Sequence, residues 1–496
     1  MSYSPAASGA AQAAGIARRT KIVATIGPAS DDTATLSRMI AAGMDMARLS
    51  LAHGPVDEFL GRLERVRSAT VPAGRYVGIL ADLPGPKIRS GSFREGGVYL
   101  VEDDYVDLVV GEGDMTSDWQ QISVFHPDLI ASLQPGDRIA IGDGGTVLIV
   151  EEAGATRART RIVSGGRLQG RPGVSPPPNR LNLETPTADD LRFLEAAITA
   201  GVDAVAVSFV RSAADMEKVR AAAGPAGPML VAKIETQEAV DDLEAIIAVS
   251  DGVMVARGDL GIRCSLWDVP HYQKHIIRTG VSYGLPVITA TQMLESMIHA
   301  PTPTRAEVSD VANAVFDGTS ALMLSAETAI GHDPVAAIVA MAAIATRAER
   351  DFDYRGWGRS LGRQQQREAA GTPAHARITA AISAAAWLAA GDSDAAAIIA
   401  CTGTGATARA ISRFRPAIPV LAATPYEATA RQLAVAWGIT PLVVAPRSST
   451  DDITWFAVAA AVERGIVSAG DVVAVLVGSP ADPDPTTDMV RLVRVR

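Results

Sequence analysis

The chain has only two cysteines, Cys264 and Cys401, among 496 residues. They lie far apart and in no metal-ligand spacing, which argues against a disulfide framework or a cysteine-based zinc site and fits a reducing, cytoplasmic setting. Positive charge is also in short supply: 45 Lys and Arg against 55 Asp and Glu leave a formal net charge of −10. Phosphate-backbone binding rests on clustered basic side chains, so no nucleic-acid partner is expected. Long apolar runs are missing too. The most apolar late stretch, Ile378 to Ala390, is Ala-dominated, too short to span a bilayer and closed by Gly391-Asp392, so it reads as a packed helix and no membrane partner is expected. The N-terminus has no basic region before an apolar one, and residues 1–17 read as a flexible tail rather than a signal peptide.

What is present is globular in balance, with 48% hydrophobic and 20% charged residues and length for two or three domains at roughly 150 residues each. Short β-branched or apolar runs alternate with amphipathic helical patterns, the mark of βα units and a parallel sheet. Eight strands are expected: Lys21–Thr25, Met44–Leu49, Tyr76–Leu80, Ala204–Ser208, Met229–Ile234, Gly252–Ala256, Pro286–Ala290 and Ala321–Leu324. That number suits an α/β fold of the TIM, or (β/α)8, barrel type over 18–89 and 179–347. Residues 90–178 show Gly/Asp turns and short alternating runs such as "RIAIGDGGTVLIVEE", which predicts a small all-β domain inserted after the third strand. Residues 348–377 read as a polar linker, and 378–496 as a C-terminal α/β domain.

Polar residues gather at the expected carboxyl ends of the barrel strands: Arg48, Asp82, Ser208, Lys233, Glu235, Asp259 and Thr291. In a barrel of this kind the active site lies at that end. In "LVAKIET" the period of two puts Lys233 and Glu235 on one side of an extended segment, where one can hold an oxyanion and the other a cation. In "VARGDLG" Asp259 is expected to end the next strand, beside Gly258, which lets a ligand approach the backbone. Two carboxylates on adjacent strands suit Mg²⁺, with Mn²⁺ as the other candidate. Alone, a Lys-x-Glu fits a surface pair and "GDLG" fits a turn; together at neighbouring strand ends they point to a site. "ADLPGPKIR", residues 81–89, ends a strand with Asp82 and delivers Lys87 and Arg89 after a Pro-Gly-Pro bend. By itself it fits either a solvated turn with a salt bridge or a cation held near an anionic ligand.

Taken together, "RRTKIVATIGPAS", "MARLSLAHG", "ADLPGPKIRSG", "VSFVRS", "AKIET", "SDGVMVARGDLGI" and "PVITATQMLESMIHAPTPTRAEVSDVANAVFDGTSALMLSAETAIG" resemble the pyruvate kinase family over nearly the whole chain. The resemblance implies phosphoryl transfer from phosphoenolpyruvate to ADP, a TIM barrel whose insert over 90–178 is a mobile small β-barrel lid domain, and a homotetramer. It implies that Arg48 binds the transferred phosphoryl group, that Glu235 and Asp259 hold Mg²⁺, and that Lys233 stabilises charge on the phosphoryl group and enolate oxygen. By the same resemblance Ser208, Gly258, Asp259 and Thr291 contact substrate, Thr291 through a proton relay, while Arg89, His53 and Pro28 face the nucleotide. Phosphoryl transfer asks a protein for positioning and electrostatics of this kind.

Departures from the family pattern carry information. Members that need K⁺ have Asn and Ser where this chain has Ser50 and Ala52, and Glu where it has Lys87. Loss of a ligand and gain of a tethered ammonium beside Asp82 both imply that K⁺ is not required, Lys87 supplying the charge. The usual nucleotide-contacting Lys is Asp189, for which Arg192 is the candidate replacement on the same helix face. The usual Glu after "GDLGI" is Arg263, and "LSGET" has become "LSAET" at Ala326. These changes motivate a second reading, a paralogue that keeps the pocket but phosphorylates ADP poorly and acts as a ligand-binding or regulatory protein.

In the last domain, "AAAIIACTGTGATARAISRFRP" runs strand, Gly/Thr-rich turn, helix. Thr402, Gly403, Thr404, Gly405 and Thr407 present amides and hydroxyls suited to a phosphate. A plain structural turn fits as well, and the resemblance adds a phosphorylated effector of unknown identity.

Overall fold

A computed structural model of the chain describes residues 18–52, 54–142, 144–177, 180–181, 183–368, 374–478 and 486–496. The tail expected over 1–17 and the candidate nucleotide residue His53 lie outside the described residues.

Eight strands close into a parallel barrel, each hydrogen-bonded to its neighbours in chain order, with the first pairing the eighth through Lys21 and Ala321. They are Lys21–Thr25, Met46–Ser50, Gly78–Asp82, Ala204–Val207, Met229–Ile234, Gly252–Ala256, Val287–Ala290 and Ala321–Leu324. The fifth, sixth, seventh and eighth strands are buried along their whole length, because helices cover the outside while side chains fill the inside. Val23, Leu80, Val231, Met254, Ile288 and Met323 belong to the interior cluster.

The second and third strands start two residues later than the sequence pattern suggests, and the seventh one residue later. Met44 and Asp45 precede the second strand because the Asp45 carboxylate accepts from Ile22 N (2.9 Å) and pairs with Arg18 (2.8 Å), fastening the barrel's amino end. The third strand runs on to Asp82, whose neighbour across the ladder is Ser50. Asp82 therefore stands in the strand itself, with its orientation set by the pleat.

Between the third and fourth strands the chain builds a six-stranded sheet and a two-stranded ribbon, Phe93–Leu100 with Gly166–Gly170. This insert has its own core, including Leu108, Ile122, Leu148 and Ile162, and one short helix, Pro127–Ser132. The stretch expected as a polar linker, 348–377, carries the whole helix Tyr354–Glu368 and the start of Ala374–Asp392. Its apolar members are what packing uses: the Trp357 ring fills the space where a side chain on Gly318 would stand.

The C-terminal domain is a five-stranded sheet in the order Ile439–Val443, Val420–Thr424, Ala397–Cys401, Val472–Val477, Met489–Arg494, the last strand antiparallel. It docks on the barrel's amino end through Arg415, which is 1% exposed. That guanidinium lies over Trp437 (4.7 Å to the ring centre) and donates to Gly318 O (2.6 Å) and Ser320 Oγ (3.2 Å). Among the described residues no helix is long and apolar enough to cross a membrane.

Candidate active site

The predicted polar residues meet where the barrel strands end. Lys233, on the fifth strand, sits between three neighbours: its Nζ donates to Ser208 Oγ at 2.6 Å and lies 2.8 Å from Glu235 Oε1 and 3.4 Å from Asp82 Oδ1. Ser208 in turn donates to Leu83 O at 2.7 Å. Asp82 also receives Arg48 Nε at 2.6 Å, and Arg48 donates through a second nitrogen to Thr25 Oγ1 at 3.0 Å. Arg48 is thus braced from two adjacent strands. Asp82 is buried between the two cations, so it serves to orient them.

Burial alone would push the Asp82 carboxyl up, but Lys233 and Arg48 reverse that and hold it below the usual carboxylate range. Burial works against the Lys233 ammonium as well, yet Asp82, Glu235 and Asp259 more than compensate and keep it protonated well above the ordinary lysine value. Glu235 goes the other way: burial lifts its carboxyl, Lys233 opposes the lift, and the charge of Asp259 adds to it. A carboxylate so placed gains from a further cation.

The donor set offers a divalent ion two carboxylates. Glu235 is fully buried; its Oε2 accepts from Phe209 N at 2.7 Å, while Oε1 has no hydrogen-bond donor despite the nearby ammonium, whose approach falls outside hydrogen-bond geometry. Asp259 is half-buried and has no ion-pair partner among the described residues. No cluster of three or more His, Cys, Asp or Glu able to hold a metal occurs among the described residues. Two carboxylates with open oxygens fit Mg²⁺, which keeps water and substrate oxygens as its other ligands.

Asp259 does not end the sixth strand as the sequence suggested. That strand stops at Ala256, and Asp259 lies in the first turn of the helix Arg257–Arg263. Gly258 N donates to Thr291 Oγ1 at 2.8 Å, and Thr291 donates on to Ala290 O at 2.7 Å. Thr291 has φ +69°, a conformation rare for a β-branched residue and worth a functional explanation. Arg257, which the sequence reading did not single out, holds that loop by donating to Thr291 O (2.7 Å) while paired with Asp310 (2.8 Å). An arginine at a strand's carboxyl end was the signal available for it.

The hinge residues sit differently. Arg89 forms an isolated backbone bridge with Gly173, where the chain returns from the insert, and donates to Arg171 O at 3.2 Å. Lys87 is exposed and leans over Gly173, without an ion-pair partner among the described residues. It therefore does not contact Asp82, as the sequence reading expected; the three-residue reach past Pro84, Gly85 and Pro86 carries it outward. Gly85 N instead donates to Asp190 Oδ1 at 3.0 Å, and Asp190 closes a capping box with Thr187. Arg192 is spent on Asp189, both exposed, and offers no spare cation there. Pro28 is exposed in the loop after the first strand, at the same end of the barrel.

In the C-terminal domain, Thr402, Gly403, Thr404 and Thr407 line a cavity of about 460 Å³ together with Tyr426 and Arg447. Gly405, at φ +83°, turns the chain into the helix Ala406–Ser412, with its N–H on Thr402 Oγ1 at 2.9 Å. Thr407 is buried against Thr487, oxygen to oxygen 2.7 Å.

Family models described as "Pyruvate kinase, barrel domain" and "Pyruvate kinase, alpha/beta domain" match residues 17–338 and 380–493. The chain is 41% identical over 479 residues to a protein named pyruvate kinase from Methylorubrum extorquens, covering 96% of this chain and 98% of the relative. It is 38% identical to one from Clostridium acetobutylicum, covering 96% and 99%, and 41% identical to pyruvate kinase 2 of Synechocystis, covering 98% and 80%.

Proposed function

The chain belongs to the pyruvate kinase family, and from that premise we propose that it transfers the phosphoryl group of phosphoenolpyruvate to ADP, giving pyruvate and ATP, with Mg²⁺ at Glu235 and Asp259. The observation that carries this reading is the Lys233 ammonium, held charged between Asp82, Ser208 and Glu235 with Arg48 alongside. Such a pair of fixed cations suits a dianionic phosphoryl group whose charge shifts during transfer, because the groups need not reorganise as the reaction proceeds.

Arg48 holds the phosphoryl oxygens, braced by Asp82 and Thr25. Lys233 stabilises the charge that passes to the enolate oxygen. A bound divalent ion supplies further charge neutralisation and a template for phosphoryl and carboxylate oxygens. Thr291 orients water for protonation of the enolate carbon, since a hydroxyl is too weak an acid to donate alone. Pro28, His53 and Arg89 face the nucleotide, and Asp189 weakens its hold. Lys87 and Ala52 together make the enzyme independent of K⁺. The Thr402–Thr407 turn takes a phosphorylated effector, and the active form is a cytoplasmic homotetramer.

The test is pyruvate formation from phosphoenolpyruvate and ADP with Mg²⁺, coupled to NADH loss through lactate dehydrogenase. Metal-dependent binding of phosphoenolpyruvate with no pyruvate formed would reject the reading in favour of a ligand-binding paralogue.

A further inference from the structure

Arg263 stands where the family usually has Glu, and the chemistry proposed above makes no use of it. Its guanidinium lies over the Phe209 ring, 4.6 Å from the ring centre, and it has no ion-pair partner among the described residues. Phe209 follows the fourth barrel strand and has φ +57°. A bulky residue rarely adopts that left-handed conformation, so neighbours must hold it there.

In that conformation the Phe209 N–H points at Glu235 and donates to Oε2 at 2.7 Å. The other side of the residue is closed by the lid hinge: a Cβ on Gly85 would stand 2.7 Å from Phe209 Cδ2 and 3.0 Å from Ser208 Cβ. Phe209 is therefore clasped between the hinge backbone and Arg263. Arg263 is also four residues beyond Asp259 on the short helix Arg257–Arg263, one turn along the same face.

We infer that Arg263 is a positioning residue for the divalent-cation site: by clamping Phe209 it fixes the N–H that orients Glu235, and so sets the two carboxylates, Glu235 and Asp259, at one spacing. The inference rests on the reading that these two carboxylates bind a divalent cation. Simple charge predicts the opposite effect, because removing a positive side chain near a cation site should tighten metal binding.

Mn²⁺ binding to the full chain, without phosphoenolpyruvate or ADP, measured from the electron-paramagnetic-resonance signal of free Mn²⁺, separates these. Arg263→Met is expected to raise the Mn²⁺ dissociation constant roughly three- to tenfold, the scale of a half-buried cation–π contact, with Arg263→Lys in between. In a Phe209→Leu background Arg263→Met should have no further effect, since both act through one contact. Should Arg263→Met fail to fold, Arg263→Gln against Arg263→Lys gives the same comparison. Unchanged or tighter Mn²⁺ binding, or effects that add independently of Phe209, overturns the inference. Wild-type protein that binds no Mn²⁺ overturns it together with the metal-site reading, a result separable from the first because the wild type alone reports it.

Discussion

Lys233 Nζ lies 2.8 Å from Glu235 Oε1, two residues along the same chain and both almost wholly out of water. The pair sits at the end of the fifth barrel strand, and the ammonium is shared with Ser208 and Asp82. Replacing Lys233 with Met should lower turnover at least about a hundredfold, the loss typical of one fixed electrostatic contact in a transition state. It should also destabilise the fold by about 3 kcal/mol, because Asp82 and Glu235 lose their shared counter-charge in a buried site. Coupled turnover assays and urea unfolding read the two effects; a variant with normal turnover would contradict the role assigned to Lys233.

Activity should change by less than about twofold when K⁺ replaces tetramethylammonium at constant ionic strength, since Ala52 offers no ligand oxygen and Lys87 adds a tethered cation. Lys87 is exposed and separate from Asp82 in this structure, so its contribution depends on the lid. Lys87→Glu should therefore create a K⁺ requirement. A strong K⁺ activation of the wild type would count against the prediction.

Thr291→Val removes the hydroxyl that accepts from Gly258 N and donates to Ala290 O, whereas Thr291→Ser keeps it. The Val variant should lose about a hundredfold in kcat, the lower range for loss of a positioned proton-transfer group, and the Ser variant less than about tenfold. A Ser variant that loses more than the Val variant would mean that the methyl group, and not the hydroxyl, matters.

Lys21 joins the barrel to the C-terminal domain through Ile439 O, 2.8 Å from its Nζ. Burial lowers its pKa to about 8, although Asp45 pulls it back up. Because the folded value lies below the unfolded one, the charged form carries a penalty that is complete below pH 8. Above that the folded state loses its proton first, so wild-type stability relative to Lys21→Met should rise between about pH 8 and 10.5, by up to about 3 kcal/mol. Urea unfolding of both proteins at pH 7, 8.5 and 10 measures it; a flat difference would show that Lys21 titrates normally.

Much of the barrel could be read directly, because parallel strands buried on both faces leave continuous apolar runs such as Ala204–Val207. The end of the barrel that carries chemistry was equally open to inspection, as Arg48, Ser208, Lys233, Glu235 and Thr291 follow or close those runs. Asp259 was misplaced by one element, since "RGDLG" has the residues of a turn and becomes helical only once Ala256 ends the strand. The separation of Lys87 from Asp82 depends on the path of a Pro-Gly-Pro bend, which local sequence does not specify.

The sequence by itself determined which side chains arrive at the carboxyl ends of eight strands, through alternation and chain order, both local properties. The tertiary structure alone decided their partners. That Asp82 would bind Arg48 and Lys233 and leave Lys87 outside, that Phe209 would turn left-handed onto Glu235 under Arg263, and that Arg415 would be buried beneath Trp437, all depend on barrel closure and domain docking. Those contacts join residues from 22 positions apart, as in Arg415 with Trp437, to 151, as in Lys233 with Asp82, and the free energy of burying a charge is set by what surrounds it in space.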